Sequence, residues 1–262
     1  MKEKYNFSKK SGKNFDTLTF LQTPKFKMSG EKRKIKKSKS VITDPTLMQL
    51  NSKCRAVKKL EFLLNNNFTS REQNTHMTFE ITNDLVDYDG MIQCLNNFMK
   101  MMRCRYENIK YIWVLDTNKQ GCVHIHMIID RYFSIDEETE LSEKWHKKVC
   151  KYYGIRSNNK ICNINFTKVV ETSHLESVFY YFVSKISMTY SLMDFNGKRR
   201  YSRSRNLEKP IKSNGLTLLN VKEIKRRLED EYGKMNVKLN SYYDYYSETK
   251  IYFFKIYKRK LY

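Results

Sequence analysis

The stretch Gly121–Asp130, with the sequence GCVHIHMIID, places two of the five histidines of the chain at alternate positions in an apolar segment. The apolar residues around these histidines predict a β-strand. Because the side chains of a strand alternate between its two faces, His124 and His126 should point the same way. Two imidazoles that converge on one face favour a shared partner, and a divalent metal ion is one such partner. A histidine pair that makes only ordinary core or surface contacts is the alternative.

The preceding segment supplies a carboxylate that could complete such a site. Tyr111–Asp116 predicts a second strand, and residues 117–121 predict the turn between the two strands. If Lys119-Gln120-Gly121 forms a three-residue loop, the hairpin sets Asp116 opposite His124 and on the same face. A two-residue loop would turn Asp116 away from the histidines. One carboxylate and two imidazoles suit Mg²⁺ or Mn²⁺, whereas structural zinc would require a fourth side chain.

Four segments, in this order, resemble the motifs of the HUH endonucleases, and within that family the rolling-circle replication initiators of small phages and plasmids. The segments are Met77–Thr82, Asp116 with His124-Ile125-His126, Tyr180–Lys185 and Arg200–Pro210. The resemblance implies an α+β fold in which helices pack on one face of an antiparallel sheet, as in RRM-like domains. It also implies that Asp116, His124 and His126 bind Mg²⁺ or Mn²⁺.

The third of these segments departs from the family pattern at its nucleophile. Family members commonly place a tyrosine three residues before the lysine, and Phe182 occupies that position relative to Lys185. Residues four apart share one face of a helix, so Tyr181 and Lys185 can both face the metal site. Tyr180, about 100° round the helix from Tyr181, is the second candidate. Alternatively, these aromatic residues only pack the helix against the sheet.

The charge of the chain favours a nucleic-acid partner. Its 50 Lys and Arg residues against 28 Asp and Glu residues give a formal net charge of +22. Such a charge attracts polyanions, and the binding should weaken steeply with salt. A membrane surface is the competing polyanion, but no apolar run approaches the roughly 20 residues of a membrane-spanning helix, and we predict no membrane contact. Because the N-terminus lacks a signal-peptide core, we expect the protein in the cytoplasm of a bacterial host.

Composition divides the chain into four regions. We predict a basic, disordered arm over residues 1–43, a helix within 44–72, an endonuclease domain over 73–212, and a helix followed by a Tyr-rich strand or tail over 213–262. The arm contains the densest run of basic residues, Lys32–Lys37. This run is a candidate for contacts with DNA phosphates.

The other reactive residue types indicate no further site. His76, His146 and His174 are interpreted as residues without a ligand role. The six cysteines show no CxxC pair and are predicted to be reduced core residues. The chain contains no GxxxxGK[ST] loop, so we expect neither a nucleotide cofactor nor a helicase motor within it.

Together these features predict an initiator endonuclease that nicks single-stranded DNA at a replication origin. In this interpretation Tyr181 attacks the scissile phosphate, Lys185 favours its phenolate, and the product is a 5′-phosphotyrosine link with a free 3′-hydroxyl. A host helicase and polymerase would act as partners. A conjugative relaxase or a single-tyrosine transposase would use the same chemistry. A catalytically inactive DNA-binding protein of the same fold would need neither metal nor nucleophile.

Overall fold

The computed structural model describes residues 5–11, 15–22, 45–69, 72–81, 87–117, 123–156, 161–190, 197–209, 211–217, 220–244 and 249–258. These residues form strands and helices in the order β1 (Tyr5–Ser11), β2 (Phe15–Gln22), α1 (Pro45–Asn67), β3 (Asn74–Ile81), α2 (Tyr88–Arg105), β4 (Tyr111–Thr117), β5 (Val123–Ile129), α3 (Ile135–Tyr153), β6 (Cys162–Val169), α4 (Thr172–Thr189), β7 (Tyr201–Arg203), β8 (Ile211–Thr217), α5 (Val221–Tyr232), β9 (Val237–Asp244) and β10 (Thr249–Tyr257). They fall into two compact units, residues 45–208 and residues 1–44 with 209–262.

The unit of residues 45–208 is built on a five-stranded antiparallel sheet. Its strand order is β6-β3-β5-β4-β7, so β3 and β5 lie near its middle. Strands β4 and β5 pair with Asp116 opposite His124 and Val114 opposite His126. This is the register that the sequence predicted for the hairpin. The predicted loop Lys119-Gln120-Gly121 lies outside the described residues.

Helices pack on both faces of this sheet. On one face α2 and α3 cover a core that includes Phe79, Trp113 and Ile125. On the other face α1 and α4 pack against Ile112 and Val114 among others. The α+β class with an antiparallel sheet is confirmed, but helices cover two faces rather than the one face that was predicted. The reason lies in β4, whose residues 111–116 are all buried, because an apolar side chain needs cover whichever way it points.

Local sequence signals account for the ends of the α3 helix. The Ser134 hydroxyl accepts a hydrogen bond from the Glu137 amide, and the Glu137 carboxylate accepts one from the Ser134 amide, which is the predicted capping box. Gly154 ends the helix in the left-handed conformation, with φ of 66°. Only glycine adopts that conformation at little cost, so both ends of α3 agree with their prediction.

The second unit joins strands from the two ends of the chain. Its antiparallel sheet has the order β8-β1-β2-β10-β9. Helix α5 packs on one face through Ile224, which lies with Phe20, Phe254 and Ile256 in a small core. The Tyr-rich C-terminal segment therefore contributes strands, one of the two structures predicted for it.

The predicted disordered arm over 1–43 does not hold for residues 5–11 and 15–22, which are strands. Leu18 and Phe20 alternate with threonines in β2 and face the small core, a pattern that the many lysines of the region concealed. The basic run Lys32–Lys37 lies outside the described residues. Separately, none of the helices that the structure describes is both long and apolar enough to cross a membrane.

Candidate metal centre and nucleophile

Asp116, His124 and His126 converge as a group of metal-ligand side chains in the described part of the chain. One ligand atom from each lies within 4.8 Å of the others. The Asp116 carboxylate oxygen Oδ2 is 3.1 Å from His124 Nε2 and 3.5 Å from His126 Nε2. Asp116 and His126 are buried and His124 is half-buried. One carboxylate and two imidazoles aimed at one point form a donor set that fits a divalent cation, as the sequence predicted.

The protonation of these side chains also suits metal binding. Burial opposes ionisation of Asp116, but hydrogen bonds from His124, His126 and Lys185 outweigh burial and hold the pKa of the Asp116 carboxyl well below its usual range. Burial lowers the pKa of His126, in spite of the hydrogen bond to Asp116, which acts in the opposite direction. A metal ion requires the ionised carboxylate and the neutral imidazole, and both directions favour those forms.

Lys185 reaches the same carboxylate from helix α4. Its Nζ lies 2.7 Å from Asp116 Oδ2, and its side chain is largely buried. The ammonium also lies 4.9 Å from the centre of the Tyr181 ring. The sequence predicted that Lys185 would face the metal site, and the structure brings it to Asp116.

Tyr181 is the tyrosine that α4 directs into the cluster. Its hydroxyl donates a hydrogen bond to Asp116 Oδ2 at 3.1 Å, and the hydroxyl oxygen lies 2.9 Å from His126 Nε2. Tyr180 does not join it, because its side chain is 78% exposed on the solvent side of the helix. Phe182, at the usual family position of the nucleophile, is fully buried in the core beneath α4. Of the two predicted candidates, the geometry therefore favours Tyr181 over Tyr180.

The pKa of Tyr181 differs from the expectation that Lys185 would favour the phenolate. Burial, the negative charge of Asp116 and the hydrogen bond to Asp116 all raise the pKa of the Tyr181 hydroxyl above its ordinary value. Lys185 forms its ion pair with Asp116 and contacts the tyrosine ring rather than the hydroxyl. The expectation about the phenolate therefore needs correction: the side chains of this site favour the phenol.

Sequence analysis missed His76, which the structure places directly behind His126. His76 Nε2 lies 3.2 Å from His126 Nδ1, on the side of the imidazole that faces away from Asp116. The Thr78 hydroxyl oxygen is also 3.2 Å from His126 Nδ1. Burial, then the neighbouring His126 and His174, lower the pKa of His76 to about 4. The interpretation of His76 as a residue without a site role was therefore incomplete.

A sequence signal for this contact did exist. His76 and Thr78 alternate on β3, and the same strand face carries the outer contacts of His126 because Thr78 pairs with His126 across β3 and β5. The pairing of β3 with β5 could not be foreseen, since these strands lie far apart in the sequence. His146 contacts the thiols of Cys150 and Cys162 and takes no part in the cluster.

Comparison with known proteins points to replication. Residues 74–189 match the family model described as Replication-associated protein ORF2, and this span contains all five cluster residues, Asp116, His124, His126, Tyr181 and Lys185. The match supports a replication-associated protein with a role in replication. A search of curated proteins gave no match.

Among solved structures, the chain is similar to the hypothetical protein ORF119 from Sulfolobus islandicus rod-shaped virus 1. The identity is 13%, the similarity covers 50% of this chain and 93% of that chain, and the TM-score is 0.31. A likeness of this strength carries no argument about fold or function.

Proposed function

We propose that residues 45–208 nick and rejoin single-stranded DNA at a replication origin through a covalent link to Tyr181. The observation that carries this proposal is the position of the Tyr181 hydroxyl, 2.9 Å from His126 Nε2 and 3.1 Å from Asp116 Oδ2. A phenol held against a group of metal-ligand side chains is the arrangement that attack on a metal-bound phosphate requires. The family match supports the biological context, since it indicates a role in replication.

Asp116, His124 and His126 would hold the divalent cation, Mg²⁺ or Mn²⁺. When bound, the cation would polarise the scissile phosphate and offset the charge that develops on its oxygens. Asp116 contributes the negative charge and the two imidazoles contribute neutral donors, so open positions remain for phosphate oxygens. The hydrogen-bonded carboxylate Asp116 is already ionised and needs no proton removed before it can act.

Tyr181 would carry out the chemical step. Its hydroxyl oxygen forms a bond to phosphorus, and the bond between phosphorus and the 3′ oxygen of the preceding nucleotide breaks. The 3′ oxygen leaves with a proton as a free 3′-hydroxyl, and the 5′ phosphate stays on the tyrosine. The Tyr181 proton must leave, and Asp116 Oδ2 already accepts the hydrogen bond from that hydroxyl.

The covalent link explains how the same site would rejoin DNA. A phosphotyrosine diester keeps the energy of the broken phosphodiester, so attack by a 3′-hydroxyl reverses the step without ATP. Lys185, 2.7 Å from Asp116, would add positive charge close to the phosphate during both directions of transfer.

A groove beside α4 gives a DNA strand access to Tyr181. It has a volume of about 490 Å³ and is lined by Ser173, Glu176, Ser177, Tyr180, Tyr181 and Ser184. The exposed Tyr180 ring would lie next to the scissile position, where it could stack on a base. Unwinding and synthesis are assigned in this proposal to a host helicase and polymerase.

The test is adduct formation on a pool of single-stranded oligonucleotides of random sequence, labelled at the 3′ end. With Mn²⁺, the full-length protein should form a labelled adduct that survives boiling in detergent, and with EDTA it should not. Asp116→Asn should abolish the adduct. Asp130→Asn, which changes a carboxylate that binds the Lys110 amide at the end of β5, should not.

If no adduct or nick forms with Mn²⁺ or Mg²⁺ while the oligonucleotides still bind, the catalytic proposal is wrong. The alternative of an inactive DNA-binding protein of the same fold would then apply.

A further inference from the structure

Most of the positive charge of the protein lies in the unit formed by residues 1–44 and 209–262. This unit holds 26 of the 50 Lys and Arg residues but only 10 of the 28 Asp and Glu residues, so it carries +16 of the formal net charge of +22. The larger unit, which contains the candidate metal centre, carries the remaining +6. A polyanion would therefore be attracted mainly to the smaller unit.

Three lysines of this unit fall in one line across its sheet. Lys10 of β1 pairs with Thr17 of β2, Thr17 pairs with Lys255 of β10, and Lys255 pairs with Lys238 of β9. Residues that pair directly across strands lie on the same face of a sheet. Because neighbouring strands are about 4.8 Å apart, the line spans about 14 Å. Lys10 and Lys238 are exposed, and Lys255 is half-buried.

This face is the one that α5 does not cover. The α5 core contains Phe20, Phe254 and Ile256, whose side chains lie on the opposite face from Lys255 because strand side chains alternate. The carboxylate of Asp16 also lies on the opposite face, where it pairs with Lys9 at 3.3 Å and Lys258 at 2.9 Å. The charge of Asp16 is therefore separated from the line of lysines by the sheet.

Aromatic rings flank the line of lysines. Phe253 and Tyr257 lie two residues before and after Lys255 on β10, so they share its face, and both are half-buried. The Lys255 ammonium lies 5.0 Å from the centre of the Tyr257 ring, and the Lys238 ammonium lies 5.5 Å from it. Asn240, which is exposed, pairs with Phe253. Cationic groups beside half-exposed rings can bind phosphates and stack on bases at the same time.

We infer that this lysine face, defined by Lys10, Lys238, Lys255, Phe253, Tyr257 and Asn240, binds single-stranded DNA. The lysines would bind successive phosphates and the rings would stack on bases. A single strand fits better than a duplex, because stacking on a ring requires an unpaired base. This surface lies on a different unit from the nicking site proposed above, so the inference holds whether or not residues 45–208 cut DNA.

The test compares two triple variants of the full chain that remove the same charge. Lys10→Gln, Lys238→Gln and Lys255→Gln change the lysine face, while Lys222→Gln, Arg226→Gln and Arg227→Gln change exposed positions of α5. Binding of a fluorescent dT20 oligonucleotide is followed by anisotropy over a range of salt concentrations in EDTA, so that no cleavage contributes. Thermal melting checks that each variant is folded.

The lysine-face variant should lower the slope of log affinity against log salt by about 2, because each phosphate contact on a single strand contributes about 0.7. The α5 variant should change the slope by less than about 0.7. Phe253→Ala should weaken dT20 binding at least about fivefold without changing the slope, since it removes stacking and not charge.

Three results would overturn the inference. Equal losses in the two triple variants would mean that overall charge, and not this face, binds DNA. Tighter binding of a dT20–dA20 duplex than of dT20 would exclude a surface built for stacking. Binding of the lysine face to vesicles of phosphatidylserine and phosphatidylcholine, with no effect of the triple variant on dT20, would identify a membrane surface as its ligand.

Discussion

Tyr181 donates a hydrogen bond of 3.1 Å to Asp116, although the two residues lie 65 positions apart in the chain. This contact exists because α4 packs on the face of the sheet that carries Asp116, His124 and His126. It joins the candidate nucleophile to the candidate metal ligand in one hydrogen-bonded group. The consequences of changing each member can therefore be separated by measuring metal binding, DNA binding and covalent attachment independently.

The nucleophile is tested by Tyr181→Phe, which removes a single oxygen atom. We expect this variant to bind Mn²⁺ and single-stranded DNA as the unchanged protein does but to form no boiling-resistant adduct. Tyr180→Phe is the matched control, because its side chain is exposed and should not supply the attacking oxygen. Peptide mapping of the adduct from the unchanged protein identifies the attached residue, and an adduct on Tyr180 would contradict the assignment.

The metal centre is tested by His126→Ala. Because His126 is one of three side chains that converge on one point, its loss should greatly weaken Mn²⁺ binding measured by calorimetry and should abolish adduct formation. Binding of single-stranded DNA in EDTA should change little, since phosphate contacts by Lys and Arg do not need the metal. His146→Ala is the control, because His146 contacts two cysteine thiols away from the cluster. Unchanged cleavage by His126→Ala would refute the metal centre.

The sequence was sufficient for those parts of the site that depend on local geometry. The strand alternation placed His124 and His126 together, hairpin geometry placed Asp116 opposite His124, and helix periodicity selected Tyr181 with Lys185. Each of these relationships spans only a few residues or one short turn. The packing of α4 over the sheet then brought the separate pieces within hydrogen-bonding distance.

The features that the sequence did not reveal all depend on contacts between distant segments. His76 lies behind His126 only because β3 pairs with β5. The strands at residues 5–22 are ordered because they pair with β8 and β10 near the other end of the chain. No local pattern reports such pairing, and a high density of lysine made the N-terminal region resemble a disordered arm.

Lys185 should act on the reaction and not on metal affinity. Its ammonium competes with a cation for Asp116 Oδ2, so Lys185→Met should bind Mn²⁺ as tightly as the unchanged protein or more tightly. The rate of adduct formation should fall by about 100-fold, because a charge that stabilises the transition state is lost. Lys185→Arg keeps the charge and should recover part of the rate. A parallel loss of metal affinity and rate in Lys185→Met would show that the lysine only maintains the structure of the site.

His76 should set the orientation of His126. If His126 binds the metal through Nε2, its Nδ1 carries the hydrogen, and His76 Nε2 at 3.2 Å is an acceptor for it. His76→Phe removes this acceptor while filling the buried space, and Mn²⁺ affinity should fall by about 10- to 100-fold. His76→Gln keeps an acceptor atom and should retain most of the affinity.

A purely structural role for His76 would give a different result. Thermal melting would then fall together in His76→Phe and His76→Gln, and Mn²⁺ affinity would follow stability rather than the presence of an acceptor. Thr78→Val provides the second comparison, because the Thr78 hydroxyl is the other group 3.2 Å from His126 Nδ1. Combining Thr78→Val with His76→Phe should lower Mn²⁺ affinity further than either change alone, since Nδ1 would then lose both acceptors. Full metal affinity in the double variant would contradict the proposed orientation of His126.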